Sequence, residues 1–412
     1  MKGFAKKFML VMSVFILTLP IFTSEISAAT FIQPEIELSA SAGMIFDENS
    51  GQIVYSKNPD EKLAIGSITK IITLYLVTKA IKDGQISESD LVTPTQEEAD
   101  MTQDATLANV RLDADKSYSV KDLYNAAWIV SSNSAAMMLA GKVSGSQAKF
   151  VRLMRKTVKS WGIKDAQLYN VSGLNNSDLQ AGMYLGANDG ENMLSANDIG
   201  IIVKHVLDEY PEVLQTTSQD KLSFPIDGEV KTYDTLNFLL KGQRDYQEGF
   251  EFDGLKTGTT KQAGESFVGT LPYENTRLVT IILDAQGEDS DNDKRFRSTQ
   301  QLVHYVSDNF ERREVIQKNK SIKINNKKYK TYEPVYVWLP KNSNIEDLRY
   351  TVSDNDLGFT AVHKKQTVKL LATNTNGGYL PFKKTNIKKR IQTKTNQKSW
   401  WNQIVEFFNH LF

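Results

Sequence analysis

A chain of 412 residues that is 40% apolar, with 24 glycines and 10 prolines, can bury a core of two or three domains, which excludes an intrinsically disordered chain. Lys+Arg and Asp+Glu both number 49, so no overall field favours nucleic acid and any basic patch is local. Cysteine is absent, which excludes thiol nucleophiles and suits an exported protein that does not use disulfides.

The first residues read as a signal peptide: Lys2, Lys6 and Lys7, an apolar run over 8–22, then Ser27, Ala28 and Ala29, with cleavage expected after Ala29. The run is shorter than the ~20 residues of a spanning helix, which argues against an uncleaved anchor; either way the body of the chain is exported. Segments 42–48 and 52–56 are strand-like around the turn residues Asn49, Ser50 and Gly51, a hairpin. Over 67–81 the pattern turns helical, with Ile68, Ile71, Ile72, Tyr75, Leu76 and Ala80 three and four apart, and Asp83-Gly84 ends it. Further helices are expected over 120–130, 134–143, 147–161 and 196–208, the last opened by Ser195 and Asp198 as a capping box. Segments 265–271 and 277–285 read as strands joined by Pro-Tyr-Glu-Asn, and 295–310 as a closing helix.

Strands at both ends with helices between them give an α+β domain with an antiparallel sheet, spanning 30–312. Over 318–382 the helical period gives way to short β-rich runs at 335–339, 359–363 and 367–371, read as a separate small all-β domain over 313–382. The remainder, 383–412, begins with Lys383, Lys384, Lys388, Lys389, Arg390, Lys394 and Lys398. On a helical wheel Trp400, Trp401, Ile404, Val405, Phe407, Phe408, Leu411 and Phe412 then share one face of about 160°. A helix over 400–412 is about 20 Å long, too short for a ~30 Å hydrocarbon core, so it is expected to lie in a membrane surface with the lysines against anionic lipid.

Three short elements carry chemistry. Ser67-Ile-Thr-Lys70 stands at a predicted helix start, where residues three apart share a face and the helix N-terminus favours a forming alkoxide. The pattern alone is weak, since Ser146-Gln-Ala-Lys149 and Ser218-Gln-Asp-Lys221 also match and read as solvated surface. The second element, Ser131-Ser132-Asn133, is a polar loop between two apolar helices that sets a hydroxyl and an amide at the rim of a cleft. The Ser-Asp-Asn triplets at 290–292, 307–309 and 353–355 come too late in the chain and read as turns or helix ends. The third element is Lys256-Thr257-Gly258-Thr259, before the strand pair: an edge strand offers backbone groups to an extended peptide, and glycine allows close approach. None of His205, His304, His363 and His410 lies beside a Gly-x-Ser-x-Gly turn or in a His-x-x-x-His pair, so neither a Ser-His-Asp hydrolase nor a zinc peptidase is indicated. No metal, no cofactor and no nucleic-acid partner is expected.

In this order the elements resemble the signature of penicillin-binding proteins and class A β-lactamases. With Ala64-Ile-Gly-Ser-Ile-Thr-Lys70, Asp253-Gly-Leu-Lys-Thr-Gly-Thr-Thr260, Ala263-Gly-Glu-Ser-Phe-Val-Gly269 and Trp400-Trp401-Asn-Gln, the whole chain resembles a low-molecular-mass D-alanyl-D-alanine carboxypeptidase of Gram-positive, streptococcal-like type. Ser132 departs from the glycine that many relatives carry there, at a position without a chemical role. The resemblance implies that Ser67 is acylated by the penultimate D-alanine carbonyl of a peptidoglycan stem peptide ending in D-Ala-D-Ala, and by β-lactam antibiotics. It also implies that Lys70 is the base, Ser131 a proton relay and Asn133 a holder of the substrate amide. The N–H groups of Ser67 and Thr259 would form an oxyanion hole, and Lys256, Thr257 and Thr259, helped by Arg295, would hold the substrate carboxylate. A β-lactamase is a rival reading, although Glu191-Asn-Met-Leu only loosely resembles the class A glutamate segment and its spacing from Ser131 looks too long. A transpeptidase and a wall-binding protein with a decayed site are further alternatives, the last opposed by the intact Ser67, Lys70, Ser131, Asn133 and Lys256.

Overall fold

The computed structural model describes residues 36–370, apart from 288–293, 325–326, 331–333, 342–347, 354–355, 362–365 and 368. The segments read as a signal peptide, 1–29, and as a basic amphipathic tail, 383–412, lie outside the described residues.

A hairpin, β1 (Ala40–Asp47) and β2 (Gln52–Lys57), is followed by a largely helical region. Its longer helices are α1 (Lys70–Lys82), α2 (Val120–Ile129), α3 (Asn133–Ser144), α4 (Gln147–Ser160) and α5 (Ala196–Glu209). A second hairpin, β3 (Lys221–Ile226) and β4 (Glu229–Asp234), leads to β5 (Gly254–Thr260), β6 (Gly264–Tyr273) and β7 (Thr276–Ala285), and then to α6 (Lys294–Asn309). The five long strands of the sheet run β2-β1-β7-β6-β5, every neighbouring pair antiparallel, with the two-residue strand Lys369–Leu370 outside β2. This is the α+β architecture expected from the sequence.

The middle strands are apolar on both faces because both faces are covered. Val279, Ile281 and Leu283 join Met44 and Phe46 in one core, whereas Leu278 and Ile282 join Ile45 in the other. The second core is closed by α6 through Phe296, Leu302, Val303 and Val306. The first is closed by the helical region, in which α1 contacts α2, α3, α4 and α5. That enclosure explains why α1 is apolar nearly all round and buries even Thr73 and Thr78. It also carries the N-terminal end of α1 into the interior. Ser119, Ser132, Ser146 and Ser195 each accept a hydrogen bond from the backbone N–H three residues on, which fixes four helix starts at about 1 kcal/mol apiece.

Strands β8 (Phe310–Ile316) and β9 (Val335–Pro340) pair antiparallel beyond α6. Trp338 of β9 is buried in the α6 core, and its indole N–H donates to Asp47 at 2.8 Å. The Gln52 carboxamide accepts from the Trp338 N–H at 2.7 Å and donates to its carbonyl at 2.8 Å, so β9 is docked on the β1–β2 hairpin. The β3–β4 hairpin is absent from the sequence reading: β3 alternates exposed and buried residues, but Pro225 interrupts its pattern.

Candidate active site

Ser67 is partly exposed on a 3-10 turn, Gly66–Thr69, that enters α1 at Lys70. The sequence predicts an α-helical start here; the tighter turn instead lets α1 begin at the lysine itself. Lys70 has no exposed surface, and its Nζ lies 2.8 Å from Ser67 Oγ, 2.7 Å from Asn133 Oδ1 and 2.8 Å from the Ser172 carbonyl. The Asn133 and Ser172 oxygens only accept, so a neutral amine donates its two hydrogens to them and turns its lone pair toward the serine hydroxyl. Burial, and secondly the nearby charge of Lys256, hold the Lys70 amine well below the ordinary lysine range. Burial therefore favours the neutral amine that this geometry requires.

Asn133 opens α3, and its Nδ2 donates to the Ala108 carbonyl at 3.0 Å, which orients Oδ1 toward Lys70. Ser132 caps α3 by accepting from the Ala135 N–H. Ser131, 2% exposed, adopts φ +62°, a left-handed conformation uncommon for a residue with a side chain.

The lysine's third partner was not legible as a motif. Ser172 belongs to a buried polar loop organised by Asn170, whose Oδ1 accepts from the Gly173 N–H at 2.7 Å, and by Asn192, whose Nδ2 donates to Thr69 Oγ1 at 2.9 Å. The available signal was compositional: Asn170, Ser172, Asn176 and Asn192, all fully buried, crowd a stretch without periodicity. A Cβ on Gly173, which has φ +86°, would run into the Gly66 carbonyl, so this loop presses directly on the Ser67 turn.

Lys256, Thr257, Gly258 and Thr259 lie on β5, the sheet edge that abuts that turn, paired with Val268, Phe267, Ser266 and Glu265 of β6. The motif glycine, expected to allow close approach of a substrate, also makes room within the protein: a Cβ on Gly258 would sit 2.5 Å from the Ile65 carbonyl, so Gly258 lets the Ser67 turn approach β5. Lys256 is 2% exposed, and burial, followed by the charge of Arg295, lowers its pKa to about 7. Arg295 on α6 donates to the Gly258 carbonyl at 3.0 Å, the Ser266 carbonyl at 3.2 Å and Thr259 Oγ1 at 2.9 Å, and pairs with Glu265 at 3.3 Å. Its guanidinium thus braces β5 and orients the Thr259 hydroxyl.

The other matches stand elsewhere. Ser146 caps α4 through the Lys149 N–H, Ser218 follows a short helical turn, and 307–309 end α6. The triplet at 290–292 and residues 354–355 of the last one lie outside the described residues. His205 stacks on Trp161 and His304 meets Gln247 and Phe250, neither among the partners of Lys70, while His363 and His410 lie outside the described residues. Glu191 makes no hydrogen bond to Ser67 or Lys70; it lines the cleft beside Thr259 and Thr260.

A serine and a buried lysine at the head of the central helix, closed in by an edge strand and a sheet faced by helices, define the fold class of penicillin-binding proteins and β-lactamases. Residues 28–287 match the family model described as D-alanyl-D-alanine carboxypeptidase, peptidase S11, and the chain belongs to that family. Its relatives include the D-alanyl-D-alanine carboxypeptidase DacA of Haemophilus influenzae, 28% identical over 334 residues, 78% of this chain and 77% of the relative. Among solved structures it is similar to a peptidoglycan synthesis regulatory factor, PBP3, from Streptococcus pneumoniae, at 34% identity and TM-score 0.68, covering 75% of this chain and 85% of that one. It is also similar to penicillin-binding protein D2 from Listeria monocytogenes in its cefotaxime-bound form, at 26% identity and TM-score 0.55, covering 66% of this chain and 99% of that one. The protein is a low-molecular-mass penicillin-binding protein and a serine D-alanyl-D-alanine carboxypeptidase.

Proposed function

We propose that Ser67 is the nucleophile and Lys70 its base in removal of the terminal D-alanine from peptidoglycan stem peptides. The observation that carries this is the buried Lys70 amine, its two hydrogens directed at Asn133 and Ser172 and its lone pair at Ser67 Oγ, 2.8 Å away. Lys70 takes the hydroxyl proton as Oγ bonds to the penultimate D-alanine carbonyl carbon. The N–H groups of Ser67 and Thr259 hold the oxyanion, where one such donor is worth about 3–4 kcal/mol of barrier. Collapse breaks the peptide C–N bond, and the amine of the departing D-alanine takes a proton relayed by Ser131. Water, deprotonated by the same base, then cleaves the acyl ester and releases the shortened peptide.

Lys256, Thr257 and Thr259 receive the substrate carboxylate, with Arg295 as the residue that positions Thr259. Penicillins and cephalosporins acylate the same serine, in keeping with the cefotaxime-bound relative. The catalytic unit spans 30–312, with 313–382 a second, β-rich unit. The protein is exported on a signal peptide ending at Ala29 and held at the outer face of the cell membrane by 383–412; among the described residues no helix is long and apolar enough to cross a membrane. Release of D-alanine from an N-acylated peptide ending in D-Ala-D-Ala tests the reading. It predicts turnover by the native chain and none by Ser67→Ala; equal release by both overturns it.

A further inference from the structure

Past the end of β5 the cleft continues into a space of about 870 Å³ lined by Thr259, Thr260 and Lys261 on one strand end and by Asp104, Asp178 and Glu191 from the helical region. Three carboxylates against one lysine make this lining negative. Asp104 is held in its charged form by the N–H and hydroxyl of Thr106, which lower its pKa. Glu191 is the unusual member: it is 4% exposed, and neither carboxylate oxygen has a hydrogen-bond partner among the described residues. The Thr260 hydroxyl is near enough to favour the charged carboxylate without making an ordinary hydrogen bond, while burial and then Asp178 push the Glu191 pKa up. A buried carboxylate without a partner is costly unless a cation or donor reaches it. Glu191 is also rigidly carried, since the next residue, Asn192, is bonded to Thr69 and to the Tyr169 N–H.

The proposed chemistry fixes which part of a peptide enters this space. If the Thr259 N–H marks the scissile carbonyl and Lys256 and Thr257 mark the terminal carboxylate, the residues preceding the scissile bond run past Thr260 toward Glu191. We infer that the space is a specificity subsite for an ammonium-bearing side chain on the residue before D-Ala-D-Ala, with Glu191 the inner anion and Asp104 and Asp178 the outer ones. The inference rests on the assignment of Ser67 and Thr259 made above.

Three peptides test it: Nα-acetyl-L-Lys-D-Ala-D-Ala, its Nε-acetyl derivative, and the norleucine analogue. The subsite predicts a kcat/KM for the free-ammonium peptide about tenfold above the other two at low ionic strength, falling as salt is added. In Glu191→Gln that preference drops toward unity, mainly through KM, and Glu191→Asp restores part of it. Should Glu191→Gln not fold, as read by thermal unfolding and by acylation with benzylpenicillin, Asp178→Asn carries the same comparison with a smaller fall. Equal turnover of the three peptides by the native chain, or an undiminished preference in a folded Glu191→Gln, overturns the subsite while leaving the Ser67 chemistry standing. Absence of D-alanine release from every peptide overturns both.

Discussion

Lys70 Nζ lies 2.8 Å from Ser67 Oγ and has no exposed surface, so the amine that faces the hydroxyl is also one whose charge burial opposes. Acylation by a penicillin should therefore rise with pH through a limb set by Lys70, with its midpoint well below the ordinary lysine value of 10.5. The charge of Lys256 contributes to that depression, so Lys256→Ala should move the limb to higher pH. Lys70→Arg places a permanent cation beside the serine and should slow acylation by about 10²–10⁴-fold. Rapid-mixing kinetics between pH 5 and 10 measure both; a limb unmoved in Lys256→Ala contradicts the electrostatic coupling.

Lys256 ties the site to folding stability. Its folded pKa is about 7 against an ordinary 10.5, so between those values the unfolded chain binds more protons and stability rises with pH. Below pH 7 the buried charge is carried at its full penalty. Lys256→Met removes this titration and should raise Tm relative to the native chain at pH 6, by about 3–6 °C, with a smaller gain at pH 9.5. Calorimetry at the two pH values decides it, and an equal gain at both contradicts the assignment.

Gly258 is held to glycine by Ile65 and Ile68 on either side of Ser67, whose carbonyl oxygen and side chain a Cβ would meet at 2.5 and 3.0 Å. Gly258→Ala should force β5 and the turn apart, destabilise the fold by about 2 kcal/mol or more, and slow acylation even in molecules that remain folded. Chemical denaturation paired with acylation rates checks both; native-like acylation would show that the close approach is dispensable.

Much of this was legible in the sequence because the elements are regular and their ends are marked. The helix at Ala196 begins where the Ser195–Asp198 capping box predicts, and the apolar runs of β6 and β7 announce strands. The order Ser67–Lys70, Ser131–Asn133, Lys256–Thr259 was readable because each motif is a short contiguous run; the first two sit at element boundaries and the third lies within β5. Long-range partners were not readable. Nothing in one sequence tells that the Ser172 carbonyl, 102 positions from Lys70, supplies its third contact. Nor does it tell that Gly258 makes room for a turn of its own chain, or that Arg295 is occupied by β5.

Trp338 is another long-range partner, and it ties β9 to the core beneath α6. Because its indole is bonded to Asp47 and its backbone to Gln52, a chain ending at residue 317 loses side-chain burial from the core beneath α6. A chain ending at residue 341 keeps β9. The first truncation should unfold several degrees below the second, with both retaining Ser67 acylation at low temperature. Identical melting would show that β9 contributes nothing to the catalytic fold.

The most direct test of the account is intact-protein mass spectrometry after incubation with benzylpenicillin, followed by peptide mapping, for the native chain beside Ser67→Ala and Lys70→Ala. The account predicts one penicilloyl adduct per molecule, on Ser67, formed slowly in Lys70→Ala and absent in Ser67→Ala. An adduct on any other residue, or one that persists in Ser67→Ala, contradicts it.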